Sequence, residues 1–561
     1  MPARRRDDAA VTAFAWRAAP WASIAAGALA LSRTLLAPFS VDDRMQRAMA
    51  LGAFPAARGP LDLYDFVRAS ERARFVDLGV LPWWTDEHFS LRFFRPLASA
   101  LLWTEYRLSG DALTMHALSL GWWAAAVLSA SWLFRRLLAA RAAAIATLIF
   151  ALAPCHEPAL VLLAQREVLV ATTFGILGLG LLVGAGPRPG ARAIAGSAVL
   201  FAASLAAGEY GLSMGGYVLA WALTGEGARD RARRLVPFIV PAAVYLVTRA
   251  ALGYRATGMG FYHDPIHAPA AFLSHAPRAF VSLVADAWST FDVAGVPLLA
   301  LVLFAGALGG VLLRATPAGP LRWLLGGSFL AILPLVASTP GVRLVGPAMV
   351  GVAPALGALI DRALIEPRRL PLALAAAAAA GLHLAHAPVA SFREASSSLE
   401  HARIRALHVH ELRAARAGGD HVGVLGLAPW ETAFLTDVDA EPSTHERMPW
   451  RVLVSARHAL LLRVDPRTLD VVVPKGQGFF PIGADDIFRP EDDPLLAGEQ
   501  RDVRGMHVLV VSDGTAEAPP RIRFSFDRPL EDPTMVWRTE TRAGFEVIQP
   551  PRQGFGLQLS P

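Results

Sequence analysis

Long apolar stretches separated by short arginine-bearing segments run from the N-terminal region to about Ala387. A helix needs roughly 20 mostly apolar residues to cross a bilayer core. About eleven stretches qualify as candidates: Pro20–Phe39, Leu113–Leu137, Ala142–Pro154, Val168–Gly184, Ala193–Ala207, Tyr210–Leu223, Val236–Leu252, Gly295–Leu313, Leu321–Ala337, Leu344–Ile360 and Pro371–Ala387. Past Ala387 the pattern changes. Arg393–Arg416 reads as a polar helix or linker. Short β-like runs follow at His421–Leu427, Arg451–Ser455, Ala459–Val464, Leu469–Val473, His507–Val511 and Arg521–Phe526, separated by Pro, Gly and Asp clusters. The pattern predicts an all-α polytopic membrane domain over 1–387, a helical linker over 388–417 and a soluble β-rich domain over 418–561.

Composition supports the membrane reading. Of 561 residues, 54% are hydrophobic and only 18% charged, and the mean hydropathy is +0.40. Soluble domains carry about 25% charged residues. Disorder is excluded by the apolar content, and a disulfide scaffold by the single cysteine, Cys155. The net charge of +6 is carried almost wholly by arginines, which form no single patch, so it does not point to nucleic acid. Lys475 is the only lysine. That bias, with the richness in Ala and Leu, reads as a GC-rich genome. With no organelle signal, it gives the cell inner membrane as the expected location.

The arginines also orient the chain. Arg4, Arg5 and Arg6 precede the first stretch, and alternate loops carry Arg135, Arg136 and Arg141, then Arg188 and Arg192, then Arg229 to Arg234, then Arg314 and Arg322, then Arg362 to Arg369. Basic residues mark the cytoplasmic side. The N-terminus is therefore expected inside. The loops Ser40–Ser109, Pro154–Glu167, Gly208–Glu209, Gly253–Asp292 and Ser338–Arg343, and the β-rich domain, are expected outside.

Candidate chemistry concentrates in those outer loops. The first is long, and long loops are commonly functional. It begins with Asp42-Asp43 and ends with Trp83-Trp84, Asp86-Glu87-His88 and Phe94-Arg95-Pro96-Leu97. The tryptophans suit a membrane interface. Paired carboxylates can raise one another's pKa and furnish a general base; solvated loop acids explain the same pattern. The second loop holds Cys155-His156-Glu157 and Gln165-Arg166-Glu167. Arg166 suits phosphate or simply snorkels to the interface. Glu209, Arg33, Arg249 and Arg343 lie within or at the ends of apolar stretches, where ionisable groups mark function or structural ion pairs. His263-Asp264-Pro265-Ile266-His267 lacks the three or four well-spaced ligands a metal needs. No nucleotide-binding glycine motif and no G-x-S-x-G elbow is present.

Taken in order, these motifs resemble the GT-C superfamily of polytopic glycosyltransferases. Within it they are most similar to protein O-mannosyltransferase-like (family 39-like) enzymes and the transmembrane/tetratricopeptide-repeat O-mannosyltransferases. Asp42-Asp43 resembles the family's acidic pair, and Phe94-Arg95-Pro96-Leu97 its aromatic-Arg-Pro-Leu motif. Pro154-Cys155-His156 with Arg166 resembles HPxHTE…GR, and Ala207-Gly208-Glu209 resembles SKE. Tyr245-Leu246-Val247-Thr248-Arg249 resembles YLxxR, and Arg343-Leu344-Val345-Gly346-Pro347 resembles ERYLYLPS. The matches run from about Ser40 to Pro347. Departures fall at Ala153, Pro158, Gly208 and Val342, and a β-rich domain stands where the family's repeats would be. The resemblance implies a polyprenyl-phosphate sugar donor in the outer leaflet and transfer to an acceptor hydroxyl on protein, lipid or glycan, with inversion. Asp42 would be the general base and Asp43 its partner. Arg95, His156, Glu157, Arg166, Glu209, Arg249 and Arg343 would bind the donor phosphate or substrate. No cofactor is required by the motifs; a divalent cation is compatible with them. A transporter or flippase of lipid-linked sugars, or a non-catalytic binder, would use similar outward charges.

Overall fold

The computed structural model describes residues 18–291, 293, 295–315, 319–415, 422–427, 434, 450–456, 458–475, 479–480, 487–490, 493–514, 519–541 and 544–560. Arg4, Arg5, Arg6, Arg416 and His421 lie outside them. The helices in chain order are α1 (Ala18–Ala30), α2 (Val41–Leu51), α3 (Arg72–Asp77), α4 (Pro96–Leu108), α5 (Ala112–Leu137), α6 (Ala140–Ala151), α7 (Glu157–Val161), α8 (Glu167–Gly184) and α9 (Ala191–Ala207). They continue with α10 (Tyr210–Ala222), α11 (Ala228–Ala251), α12 (Pro269–Ser289), α13 (Leu298–Ala315), α14 (Pro320–Ile332), α15 (Met349–Ile365), α16 (Leu370–Ala380) and α17 (Ala387–Ala415).

Among the described residues, five helical segments are long and apolar enough to cross a membrane: Ala112–Leu137, Leu163–Gly184, Ala228–Ala251, Pro320–Ala337 and Leu370–Ala415. A sixth is the pair Ala140–Ala151 and Pro154–Val161, bent by 45° at the break that Pro154 imposes. The chain is thus a multi-pass membrane protein. Each of the eleven apolar stretches contains a helix, but several helices are shorter than a full span. The first stretch stays α-helical only to Ala30. It then tightens into a 3₁₀ turn at Ser32–Leu36, where Thr34 Oγ1 donates to the Leu31 carbonyl at 2.7 Å. The last stretch does not stop at Ala387: a π-helical turn at Gly381–His386 carries α16 directly into α17. Five helices were unforeseen. α2, α3 and α4 lie inside the first outer loop, α7 inside the second, and α12 inside Gly253–Asp292, where Pro277 and Arg278 interrupt the apolar run.

The strands are β1 (Asp65–Val67), β2 (Ser90–Arg92), β3 (Ala256–Thr257), β4 (Val422–Leu427), β5 (Arg451–Val454), β6 (Ala459–Asp465), β7 (Thr468–Val472), β8 (Gln500–Val503), β9 (Met506–Ser512), β10 (Arg521–Phe526), β11 (Met535–Thr541), β12 (Gly544–Val547) and β13 (Gly556–Leu559). They form three sheets. β1-β2-β3 ties the first outer loop to the segment after α11. The C-terminal region has a sheet ordered β13-β6-β7-β10-β9-β8 and a second ordered β12-β11-β4-β5, in which β4 runs parallel to both neighbours. β10 shows the half-buried alternation plainly: Ile522, Phe524 and Phe526 face inward.

Two cores result. One fills the helix bundle, with Trp123, Phe134, Phe150, Phe201 and Tyr217 fully covered. Small residues let the helices approach. A Cβ on Gly351 would meet the Leu324 carbonyl oxygen at 2.3 Å, and one on Gly357 the Ala142 carbonyl oxygen at 2.7 Å. The second core joins the first outer loop to the β-rich region without a break. Trp83 and Trp84, expected at the membrane interface, are instead 3% and 1% exposed within that second core. Trp84 stacks on Phe480 at 4.2 Å, Trp83 meets Phe524 edge-on, and Trp83 Nε1 donates to the Leu453 carbonyl at 3.1 Å. An indole whose N–H has a protein acceptor suits a dry core. Arg451 adds hydrogen bonds to the carbonyls of Val76 and Asp77, and Asp86 N–H donates to Phe488.

Trp83→Ala is expected to cost about 3–5 kcal/mol. Thermal unfolding of the detergent-solubilised protein, combined with limited proteolysis, tests this: the melting point falls, and cleavage appears in the β-rich region before the helix bundle. An unchanged melting point would remove Trp83 as a clamp between the two parts.

Candidate active-site cleft

A cleft of about 240 Å³ opens where the first outer loop meets the starts of α8 and α10. Its walls come from sequence-distant segments: Asp42 from α2, Arg95 from the turn before α4, Glu167 and Glu209 from two helix starts, Arg249 from the end of α11, and Arg343 from the turn before α15.

Asp42 owes its position to its neighbour. Ser40 and Asp43 form a reciprocal capping box at the start of α2: Asp43 N–H donates to Ser40 Oγ at 3.3 Å, and Ser40 N–H donates to Asp43 Oδ2 at 2.9 Å. Asp43 Oδ1 accepts from Ala164 N–H at 2.9 Å. Asp43 is completely buried and does not line the cleft. Burial pushes its carboxyl up, and the Ser40 and Ala164 N–H groups pull it back only in part. The acidic pair is therefore divided. Asp43 fixes the turn structurally, while the adjacent Asp42, pointing the other way on the helix, is exposed in the cleft.

Arg95 is spent on two carboxylates. Its Nη1 pairs with Glu167 Oε1 at 3.0 Å and its Nε with Glu209 Oε2 at 2.8 Å. The guanidinium also lies over the rings of Phe93 and Tyr64, at 4.4 and 4.9 Å from their centroids. Arg249 and Arg343 are different: among the described residues neither is paired with a carboxylate. Arg249 follows Tyr245 by four residues, so both occupy one face of α11. Arg343 packs over Phe261 and donates to Ser338 Oγ and the Thr339 carbonyl at 3.4 Å. Three buried polar atoms around the cleft have no hydrogen-bond partner: Glu167 Oε2, Glu209 Oε1 and Arg249 Nε. Unmet buried groups of this kind are costly and suit a hydroxyl-rich ligand.

Besides Asp43, three expected residues lie outside the cleft. His156 is buried, with Nε2 at 2.8 Å from the Phe150 carbonyl and its ring edge-on to Phe150. The break after α6 turns it into the bundle. Arg166 bonds Glu105, Ser119 Oγ and the Met115 carbonyl, holding α5 against α8. Glu157 lines a separate cavity. Sequence reasoning passed over Glu167, hidden beside Arg166, and the aromatic Tyr64 and Tyr262. Burial holds both tyrosine hydroxyls above their usual range, so both stay protonated hydrogen-bond donors.

His263, Asp264, Pro265 and Ile266 also line the cleft. Asp264 is engaged locally: its Oδ1 accepts from Ile266 N–H, and its Oδ2 lies 2.7 Å from His267 Nδ1. Burial raises the Asp264 carboxyl, but the His267 ring and backbone N–H groups outweigh that and hold it low. Among the described residues no three His, Cys, Asp or Glu side chains converge as a metal site would require.

No protein-family model and no curated protein sequence matches the chain. It is similar in structure to the archaeal oligosaccharyltransferase AglB from Archaeoglobus fulgidus in complex with an inhibitory peptide and a dolichol-phosphate. That similarity has 12% identity and a TM-score of 0.40, over 76% of this chain and 64% of that one. It is also similar to ArnT from Cupriavidus metallidurans bound to undecaprenyl phosphate, at 15% identity and a TM-score of 0.37, over 68% of this chain and 82% of that one. The chain thus spans less than two thirds of the oligosaccharyltransferase it matches.

Arg95→Ala would leave buried Glu167 without its counter-charge, a change expected to cost about 3–5 kcal/mol. Asp43→Asn keeps the shape but leaves one oxygen to accept where two N–H groups donate, with an expected cost of about 1–3 kcal/mol. Melting points of both variants in detergent, against wild type, test the two assignments. A neutral Arg95→Ala would mean that the clamp does not hold the cleft together.

Proposed function

We propose that this chain is a GT-C-type glycosyltransferase of the inner membrane that transfers a sugar from a polyprenyl-phosphate donor to an acceptor hydroxyl on the outer face. The supporting observation is the convergence in one cleft of Asp42, Glu167, Glu209, Arg95, Arg249 and Arg343 from distant parts of the chain. The order of these residues also carries the family resemblance. Residues 1–387 would be the transferase, 388–417 a linker, and 418–561 a periplasmic β-rich domain that supports the catalytic loop.

In the reaction, the acceptor oxygen attacks the anomeric carbon from the face opposite the phosphate. Asp42 takes the acceptor proton. The bond between the anomeric carbon and the phosphate oxygen breaks with its electrons on oxygen, inverting the centre and releasing polyprenyl phosphate. Arg249 and Arg343, unpaired with any described carboxylate, meet the charge that grows on the leaving phosphate. Fixed cations aimed at developing charge are commonly the largest catalytic contribution. Glu167 and Glu209, held by Arg95, offer their remaining oxygens to sugar hydroxyls.

The test is sugar release by purified protein from a panel of polyprenyl-phosphate sugars. Asp42→Asn is expected to lower turnover by about 10²–10⁴-fold in a protein that still folds. Arg343→Ala and Arg249→Ala are each expected to lower it by about 10²–10³-fold. Turnover that survives Asp42→Asn removes that residue as the base. Donor binding without turnover in any variant, in the presence of acceptor extracts, favours a lipid-linked-sugar transporter or binder.

A further inference from the structure

A second cavity, of about 410 Å³, lies on the other side of the α2 N-terminal turn. Val41 and Arg44 face it, whereas Asp42 faces the cleft; Leu162 faces it, whereas Ala164 faces the cleft. Its other walls come from Ala37–Ser40, between the 3₁₀ turn and α2, from α7 and from α17. The proposed glycosyl transfer makes no use of it.

Its polar groups are arranged by depth. Glu157 is 4% exposed, and its Oε1 is buried with no hydrogen-bond partner. Arg44 and Arg405 are half-buried on the walls, while Glu394 stands exposed at the mouth, near enough for its charge to act on Glu157. Phe39 and Leu162 supply apolar wall between them. The elements that form the rim also carry exposed apolar side chains: Leu36 is 53% exposed, and Phe392, Ile404 and Leu407 on α17 are 39%, 44% and 64% exposed. Exposed charged residues of α17, Arg393, Glu400 and Arg403 among them, alternate with these, a mixture that suits the headgroup level of a bilayer.

From this we infer that the cavity is a binding site for a zwitterionic phospholipid headgroup that joins a primary ammonium to a phosphate. A headgroup entering terminus-first brings its ammonium to the deep carboxylate of Glu157. Its phosphate follows to the level of Arg44 and Arg405, and its acyl chains remain among Phe392, Ile404 and Leu407. A primary ammonium donates hydrogen bonds to a buried carboxylate, and a guanidinium donates to phosphate. A quaternary ammonium has no N–H to give Glu157, and an uncharged glycerol headgroup brings no cation. The site is independent of the transfer reaction proposed above and would hold lipid whether or not the cleft is catalytic.

Native mass spectrometry of the purified full chain in detergent tests this, with phosphatidylethanolamine, phosphatidylcholine and phosphatidylglycerol of identical acyl chains. Phosphatidylethanolamine is expected to be retained about tenfold more strongly than either other lipid, as loss of a charged hydrogen bond predicts. Glu157→Gln is expected to abolish that preference, and Arg405→Gln to weaken retention of all three lipids alike, while the melting point stays near wild type. If Glu157→Gln does not fold, retention that Arg405→Gln leaves unchanged overturns the proposal. Equal retention of the three lipids by the wild type, or a preference that survives Glu157→Gln, also overturns it. Displacement of the bound lipid by an equal concentration of free O-phosphoethanolamine overturns the lipid assignment in favour of a soluble phosphoamine.

Discussion

An ionised side chain withdrawn from water must find its counter-charge or its hydrogen bonds inside the protein, and that constraint organises the outer end of this molecule. Three helix starts meet around Arg95. α8 contributes Glu167, α10 contributes Glu209, and Arg95 itself stands at the entry to α4. One residue before Glu167, Arg166 makes a separate buried pair with Glu105. Two residues further back, Ala164 N–H holds Asp43. The segment 164–167 is therefore fixed from three directions within four residues. The cleft exists because these charges cannot be separated without leaving one of them buried and alone.

The same constraint explains what could and could not be read from the sequence. The membrane helices were legible because apolar length is a property of the stretch itself. Their ends were less so: the α1 break depends on Thr34 bonding a carbonyl, and the run through His386 into α17 depends on no local stop signal. Asp42, Arg95, Glu209, Arg249 and Arg343 were singled out by residue type and order, and they share one cleft. His156 and Arg166 were singled out in the same way and lie elsewhere. Nothing in a linear pattern tells whether a buried arginine faces a ligand or a neighbouring helix. The partners that decide it, Glu105, Ser119 and Met115, are some fifty residues away.

The two cores bear on how such a cleft keeps its shape. A carboxylate such as Asp42 on a long outer loop would wander if the loop were solvated on both faces. Here the loop is held on two sides. One side rests on the helix bundle through Asp43 and through Tyr64, whose hydroxyl donates to the Ala164 carbonyl at 2.9 Å. The other side shares a core with the β-rich region through Trp83 and Trp84. With a single, buried cysteine the chain can make no internal disulfide, so this second core rests on aromatic packing and on Arg451 reaching back to α3.

The motif departures can be weighed against this geometry. Where the resembled family has a lysine before the glutamate, this chain has Gly208. A Cβ there would meet Glu167 Cγ at 3.1 Å and stand 3.7 Å from Arg95 Nε. A lysine stem would thus have to displace the Glu167 side chain from the position in which it pairs with Arg95. The backbone at Gly208 is extended, so no conformational demand for glycine exists there; the demand is for space. Arg95 already supplies a cation at that point, pinned by two carboxylates and two aromatic faces. Glycine at 208 and the Glu167–Arg95 pair form one solution to placing positive charge beside Glu209, and a lysine forms another. On this reading the loss of the lysine is not a loss of the site. On the proposed function it leaves Arg249 and Arg343, which line the cleft and which no described carboxylate neutralises, to meet an incoming phosphate.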